Sequence, residues 1–207
     1  MKENIEGLFY RDILTKKPIK VRGNLVEDLG EVGREGDIGF YNLKIDSNQK
    51  NRQMSVRYCI KELNIKNIGF YYESNVDEVL IKYLALKKAG LPVVPFLRCD
   101  KENNFILMPD MTDNGRLEIF DKHLPRPYDF EIKNIKSIKE EALQVANLAF
   151  DKNIFLGQDA YAIIADEQTH MGKLCLLDIG RNTQFVNGNY SKVEAAAQVQ
   201  MFIDFVI

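Results

Sequence analysis

Cysteine is scarce. Cys59, Cys99 and Cys175 are the only three, scattered along the chain and odd in number. None forms a Cys-x-x-Cys pair, so neither a zinc site nor a disulfide framework organises this sequence. Cys59 and Cys175 lie inside apolar strand patterns and read as small core residues, a usage that fits a reducing compartment. An excess of either charge is also missing. The net charge is −2, which leaves no footprint for nucleic acid or an anionic membrane. Short basic pairs such as Lys16-Lys17 and Lys87-Lys88 read as solvated. No apolar run approaches the length of a membrane span. The segment Met1-Lys2-Glu3-Asn4-Ile5-Glu6 lacks the apolar core of a Sec signal, an expectation against the ordinary secretory route. Histidine is limited to His123 and His170, with no cysteine or acid at ligand spacing, and His170 reads as an exposed turn residue. Neither Gly-x-Ser-x-Gly nor His-Glu-x-x-His occurs, so serine-hydrolase and zinc-protease readings have no support.

The composition that remains is ordinary for a globular protein: 45% hydrophobic and 28% charged over 207 residues, enough for one domain or one compact two-lobed unit. No repeat, low-complexity tract or clear linker interrupts it. Residues 4–14 carry a modest helical stripe (Ile5, Leu8, Phe9, Ile13, Leu14). Residues 18–63 read as β-rich, with the glycine-dense stretch Gly30 to Gly39 as a candidate nucleotide-covering turn between two strands. Ser74 to Gly90 is a helix with Val76, Val79, Leu80, Tyr83, Leu84 and Leu86 on one side. Val93 to Cys99 and Asn104 to Met108 form two further strands, and Pro109 to Arg116 is a polar connector. Pro125 and Pro127 block a long helix over 117–132. Ile135 to Asp151 is helical, with Ile138, Leu143, Ala146, Leu148, Ala149 and Phe150 as its apolar side. Ala160 to Asp166 and Lys173 to Asp178 make a hairpin. Ser191 to Ile207 is a helix opened by the capping box Ser191/Glu194 and packed through Val193, Ala197, Met201, Ile203, Phe205 and Val206.

Two short runs carry chemistry. Cys59-Ile60-Lys61-Glu62-Leu63 puts a lysine at the end of an apolar strand. Leu176-Leu177-Asp178-Ile179-Gly180 puts an aspartate at the end of another, with a glycine two residues on. A strand-borne cation for nucleotide phosphates and a carboxylate for their Mg²⁺ are the two charges a kinase-type phosphotransferase needs. An acid closing so apolar a strand calls for compensation, which a magnesium ion would supply.

In order, the chain presents a glycine turn with Gly36 and Gly39, the Ile60-Lys61 strand and a helix with acids near its start. Two strands ending in Ile106-Leu107-Met108-Pro109-Asp110-Met111, a connector, a helix and a hairpin ending in Leu177-Asp178-Ile179-Gly180 follow. This order resembles the protein-kinase-like superfamily over residues 25–183. The resemblance implies an α+β, two-lobed protein-kinase-like fold. Residues 1–207 would form a single kinase-like domain with a β-rich N-lobe at about 18–110, a hinge at about 109–116 and a strongly reduced helical C-lobe at about 117–207.

It implies ATP and Mg²⁺ as cofactors. Gly36 and Gly39 would cover the nucleotide and Lys61 would orient its phosphates. A carboxylate would hold Lys61: Glu73, Asp77 and Glu78 compete, with Glu78 ranked first, although Asn75 and Glu78 also spell a capping box. Met108 would sit at the back of the adenine pocket, with Pro109 supplying a carbonyl and Met111 an amide. Asp178 would bind Mg²⁺, and Asp159, 19 residues earlier, would be the catalytic base.

The chain departs from the family in two places. No His-Arg precedes Asp159, and Ile164 stands where a second metal-binding asparagine is expected. If the alignment slides, Asp159 becomes that ligand and a base such as Asp151 takes its place. Only 27 residues follow Gly180, with no room for an activation segment or a large helical sub-domain. In this the chain is similar to the minimal Ser/Thr kinases among bacterial effector proteins. The expectation is a phosphotransferase modifying a protein substrate, with no nucleic-acid or membrane partner. It would work in the cytoplasm, or in a host cytosol after delivery by a specialised secretion system, with a role in virulence. The alternatives are a nucleotide-binding pseudokinase or interaction protein, and a small-molecule phosphotransferase of the aminoglycoside or choline kinase type. Oligomeric state is not readable.

Overall fold

A computed structural model describes residues 1–11, 18–31, 36–46, 56–63, 75–113, 116–120, 131–180, 183–186 and 188–206. The chain is α+β and strand-rich, with three helices among the described residues. It divides into two units: Met1–Ile81 with Pro95–Asp110, and Lys82–Val94 with Met111–Ile207.

The first unit is built on a six-stranded antiparallel sheet. Its strands are β1 (Asn4–Phe9), β2 (Ile19–Glu31), β3 (Gly36–Asp46), β4 (Val56–Leu63), β5 (Arg98–Asp100) and β6 (Phe105–Pro109), in the order β1-β2-β3-β4-β6-β5. The sheet nearly closes on itself. Just past β1, Tyr10 exchanges two backbone hydrogen bonds with Cys99 of β5, at 2.8 and 3.0 Å. Alternate residues line the interior: Ile5 and Phe9 from β1, Val21, Tyr41 and Leu43, Ile60, and Phe105 with Leu107. Tyr41 is fully enclosed; burial pushes its phenol up to about 12, and its hydroxyl donates to Lys2 O at 2.7 Å.

The stripe expected as a helix over residues 4–14 begins as a strand, residues 4–9 forming β1; residues 12–14 lie outside the described residues. Ile5 and Phe9 are buried on one face with Gly7 between them, and the space over Gly7 is taken by a buried carboxylate. A Cβ on Gly7 would come within 1.9 Å of Asp100 Oδ2. Asp100 accepts hydrogen bonds from the N–H groups of Leu8 (3.2 Å), Glu102 (3.0 Å) and Asn103 (3.3 Å), and from the Asn103 side-chain amide (2.9 Å). It therefore ties β1 to the β5–β6 turn. The strand expected over 93–99 shortens to Arg98–Asp100, because Pro92 and Pro95 have no N–H to give a ladder.

Helix α1 (Val76–Lys88) begins where Asn75 Oδ1 accepts the Glu78 N–H at 2.8 Å, one half of the expected capping box. Val76, Val79, Leu80, Tyr83 and Leu86 are buried, as the spacing predicts.

The second unit holds the three-stranded sheet β10-β9-β7, made of β7 (Leu117–Phe120), β9 (Tyr161–Asp166) and β10 (Gly172–Leu176). It also holds the two-stranded pair β8 (Ile154–Leu156) with β11 (Thr183–Phe185), helix α2 (Ile135–Asp151) and helix α3 (Lys192–Val206). The β9–β10 hairpin forms where expected; β7, β8 and β11 are additions. His170, in the hairpin turn, has a left-handed φ of 59° and is half-buried rather than exposed. The buried side of α2 is Ile138, Ala142, Val145, Ala146 and Ala149, so Leu143 and Leu148 face outward, against expectation. On α3 the Ser191/Glu194 box closes in both directions. Its buried residues are Ala195, Val199, Phe202 and Ile203. Val193, Ala197, Met201 and Phe205, expected to pack, are exposed. Among the described residues no helix is long and apolar enough to cross a membrane.

α2 and the hairpin meet at Gly172. Asn134, just before α2, donates to Gly172 O and accepts from Gly172 N, both at 2.8 Å. A Cβ on Gly172 would fall 2.7, 2.8 and 3.0 Å from methyls of Ile163, Ile138 and Ile132. Gly172→Val is expected to destabilise the chain by about 2 kcal/mol through overpacking, read as a lowered urea midpoint. A midpoint equal to the parent's would mean that the helix and hairpin do not meet at this glycine.

Candidate functional site

Lys61 lies on β4, a central strand between β3 and β6, opposite Ile38 on one side and Ile106 on the other. Its neighbour Ile60 points into the core, so Lys61 projects from the outer face. It is nevertheless only 8% exposed. Cys59 shares that face, opposite Phe40 and Met108. Lys61 thus shares an apolar strand face with Ile38, Phe40, Cys59, Ile106 and Met108. Burial pushes the Cys59 thiol up to about 12, with the Asp110 carboxylate adding to it, and so it behaves as an inert filler.

Met108 is buried and Pro109 ends β6 opposite Tyr58, where its missing N–H costs no ladder bond to the described strands. Asp110 follows, its carboxylate 3.2 Å from Arg57 Nε. Arg57 also pairs with Glu27 at 2.5 Å, and its guanidinium lies 4.2 Å from the centre of the Phe40 ring. This anchor at the Met108–Asp110 end of the strand was not legible in advance; the available signal was Arg57, Cys59 and Lys61 alternating on one face. Met111 opens the turn at 111–113.

Of the acids proposed for Lys61, Asp77 is paired with Lys101 in the β5–β6 turn at 2.7 Å. Glu78 is half-buried in the first turn of α1. Glu73 lies outside the described residues. Gly36 opens β3, and Gly39 lies within it opposite Ile60. Gly39 has a packing reason of its own: a Cβ there would meet Leu25 at 2.9 Å and the Tyr41 ring at 3.2 Å. Residues 32–35, the tip of the glycine turn, lie outside the described residues.

In the second unit the segments that carry Asp159 and Asp178 are joined through the backbone. Asp159 sits in a short 3-10 helix, Gln158–Ala160, immediately before β9; Asp178 follows β10 by two residues. Tyr161 pairs with Leu176 at the end of the hairpin, and beyond it Leu177 N–H donates to Ala160 O at 3.0 Å. Each aspartate is therefore one residue away from the same hydrogen bond. Gln198 of α3 accepts the Gln158 N–H at 3.0 Å and steadies the turn that carries Asp159. On the other side Leu176 N–H donates to Pro92 O at 2.7 Å.

Ile164, in the position of the expected asparagine, is a buried β9 residue opposite Lys173 and Ile119. It offers no oxygen to a cation. Among the described residues no three His, Cys, Asp or Glu side chains gather as a self-sufficient metal site. Magnesium binds through one or two carboxylates when phosphate oxygens complete its shell. As donor types, two carboxylates such as Asp159 and Asp178 suit an ion that arrives with a phosphate rather than a resident structural ion. Cys175, on β10 nearby, is held up to about 12 by burial and is not a nucleophile.

A scan against protein families finds no match, and neither does a search of curated proteins.

Proposed function

We propose that the chain is an ATP- and Mg²⁺-dependent Ser/Thr protein kinase of minimal type, with a two-lobed kinase-like fold. The observation that carries this reading is the Leu177–Ala160 backbone hydrogen bond, which joins the two short segments that bear Asp178 and Asp159. A second feature supports it: the buried Lys61 on an apolar strand face that also bears Met108. Bound ATP·Mg²⁺ supplies the phosphoryl group and the charge that makes ADP a good leaving group. In this proposal Lys61 orients the phosphates and Glu78 orients Lys61. Gly36 and Gly39 lie in the strand covering the nucleotide, while Pro109 and Met111 present backbone groups to adenine and Met108 closes the pocket behind it. Asp178 holds the metal. Asp159 accepts the proton of the acceptor hydroxyl as its oxygen bonds the γ-phosphorus and the bond to ADP breaks. Such catalysis is mostly positioning and charge neutralisation.

A second reading, a pseudokinase that binds nucleotide without transfer, is favoured by Ile164. Thermal unfolding with ATP, with and without Mg²⁺, followed by γ-labelled phosphate transfer to itself and to generic protein acceptors, separates the two. The kinase reading expects stabilisation that requires Mg²⁺, by about 2.7 kcal/mol at a hundredfold excess over Kd, and label on serine or threonine. Binding without label selects the pseudokinase. No stabilisation at all removes both.

A further inference from the structure

α1 carries a lysine on its buried side. Lys82 lies among Val79, Tyr83 and Leu86, positions where a helix of this pattern would ordinarily place leucine or methionine, and it is 5% exposed. Its ammonium donates to Gly180 O at 3.0 Å. Keeping a cation out of water is costly unless it is hydrogen-bonded, so packing alone does not explain the choice of lysine. The acceptor lies two residues beyond Asp178. The Thr183 N–H donates to the same carbonyl at 3.3 Å. Upstream, Leu176 and Leu177 are fastened through their own N–H groups to Pro92 and Ala160. The segment carrying Asp178 is thus pinned on both sides, and on its C-terminal side the pin is a side chain.

We propose that Lys82 is a positioning residue that fixes the carbonyl of Gly180 and, through it, the orientation of the Asp178 carboxylate toward a phosphate-borne divalent cation. The proposal rests on the phosphotransferase reading for its ligand and on the Lys82–Gly180 hydrogen bond for its geometry. The lysine stem can be kept and the donor removed in Lys82→Met, while Lys82→Arg restores a donor.

The experiment has two readouts in the full chain. The first is amide hydrogen exchange of the ligand-free protein. Lys82→Met is expected to lower protection at Thr183, with the α2 and β9 amides unchanged. The second is Mn²⁺ binding in the presence of a non-hydrolysable ATP analogue, followed by electron paramagnetic resonance. The Mn²⁺ concentration for half-saturation is expected to rise about tenfold in Lys82→Met, to recover partly in Lys82→Arg, and to rise beyond measurement in Asp178→Asn. If Asp178→Asn binds Mn²⁺ as the parent does, the phosphotransferase reading fails. If Asp178→Asn loses Mn²⁺ while Lys82→Met keeps the parental half-saturation, the positioning role fails and the phosphotransferase reading stands. Protection lost equally across α2 and β9 would reduce Lys82 to a general packing residue and overturn the proposal.

Discussion

Asp178→Ala is expected to reduce γ-phosphate transfer by about three orders of magnitude, the scale for removing one preorganised charge contact from a transition state. The fold is expected to survive. Asp178 is half-buried beyond the end of β10, and the backbone on either side is held by Leu176, Leu177 and Gly180. A labelled-phosphate assay beside a melting curve checks both halves of the claim. Transfer at the parental rate would remove Asp178 from the site. Asp159→Asn refines the assignment. As the base, it should lower kcat with little change in the Mg²⁺ requirement; as a metal ligand, it should raise that requirement.

The largest effect on stability is expected from Asp100→Ala. The Asp100 carboxylate is 1% exposed as a residue and accepts from three backbone N–H groups and one side-chain amide. Its removal leaves those donors without an acceptor beside the enclosed Gly7. Each orphaned buried donor costs about 1–3 kcal/mol before relaxation and water entry, and a net loss of about 3 kcal/mol follows. Equilibrium denaturation should show a lowered midpoint at unchanged slope. Asp100→Asn, which keeps one acceptor oxygen, should lose less. A loss below 1 kcal/mol for the alanine variant would mean that the β5–β6 turn holds β1 by other means.

The parts of this fold that were legible are those where one face is apolar and the ends are marked. α1 has Asn75 at its start and Gly90 after its end; α2 has a clear apolar side; α3 has the Ser191/Glu194 box. What failed was phase and short pairing. β1 is hidden in the sequence because its alternation runs Ile5, Gly7, Phe9, and a glycine removes the middle beat. Ile5, Leu8 and Phe9 then pass for a helical stripe. On α3 apolar residues occur all round, so the pattern does not say whether Val199 and Phe202 or Met201 and Phe205 face inward. β8 and β11 have three residues each, too few to show a period. For the site, Lys61 and Asp178 stood out because each is a charge at the end of an apolar run. Lys82 and Arg57 did not, because a single lysine on a helix or arginine on a strand looks solvent-facing until the pairing is known. The joining of the segments that carry Asp159 and Asp178 depends on one backbone bond, which no local pattern announces.

The near-closure of the six-stranded sheet has a consequence for how the chain associates with itself. An open sheet of this size would offer two bare rims of N–H and C=O groups to any passing strand. Here the short β5 and the first strand spend part of that capacity on each other through Tyr10 and Cys99. β1 therefore acts as a guard strip. Loss of that strip would bare β2, the longest strand of the sheet, and offer it as a template for intermolecular pairing.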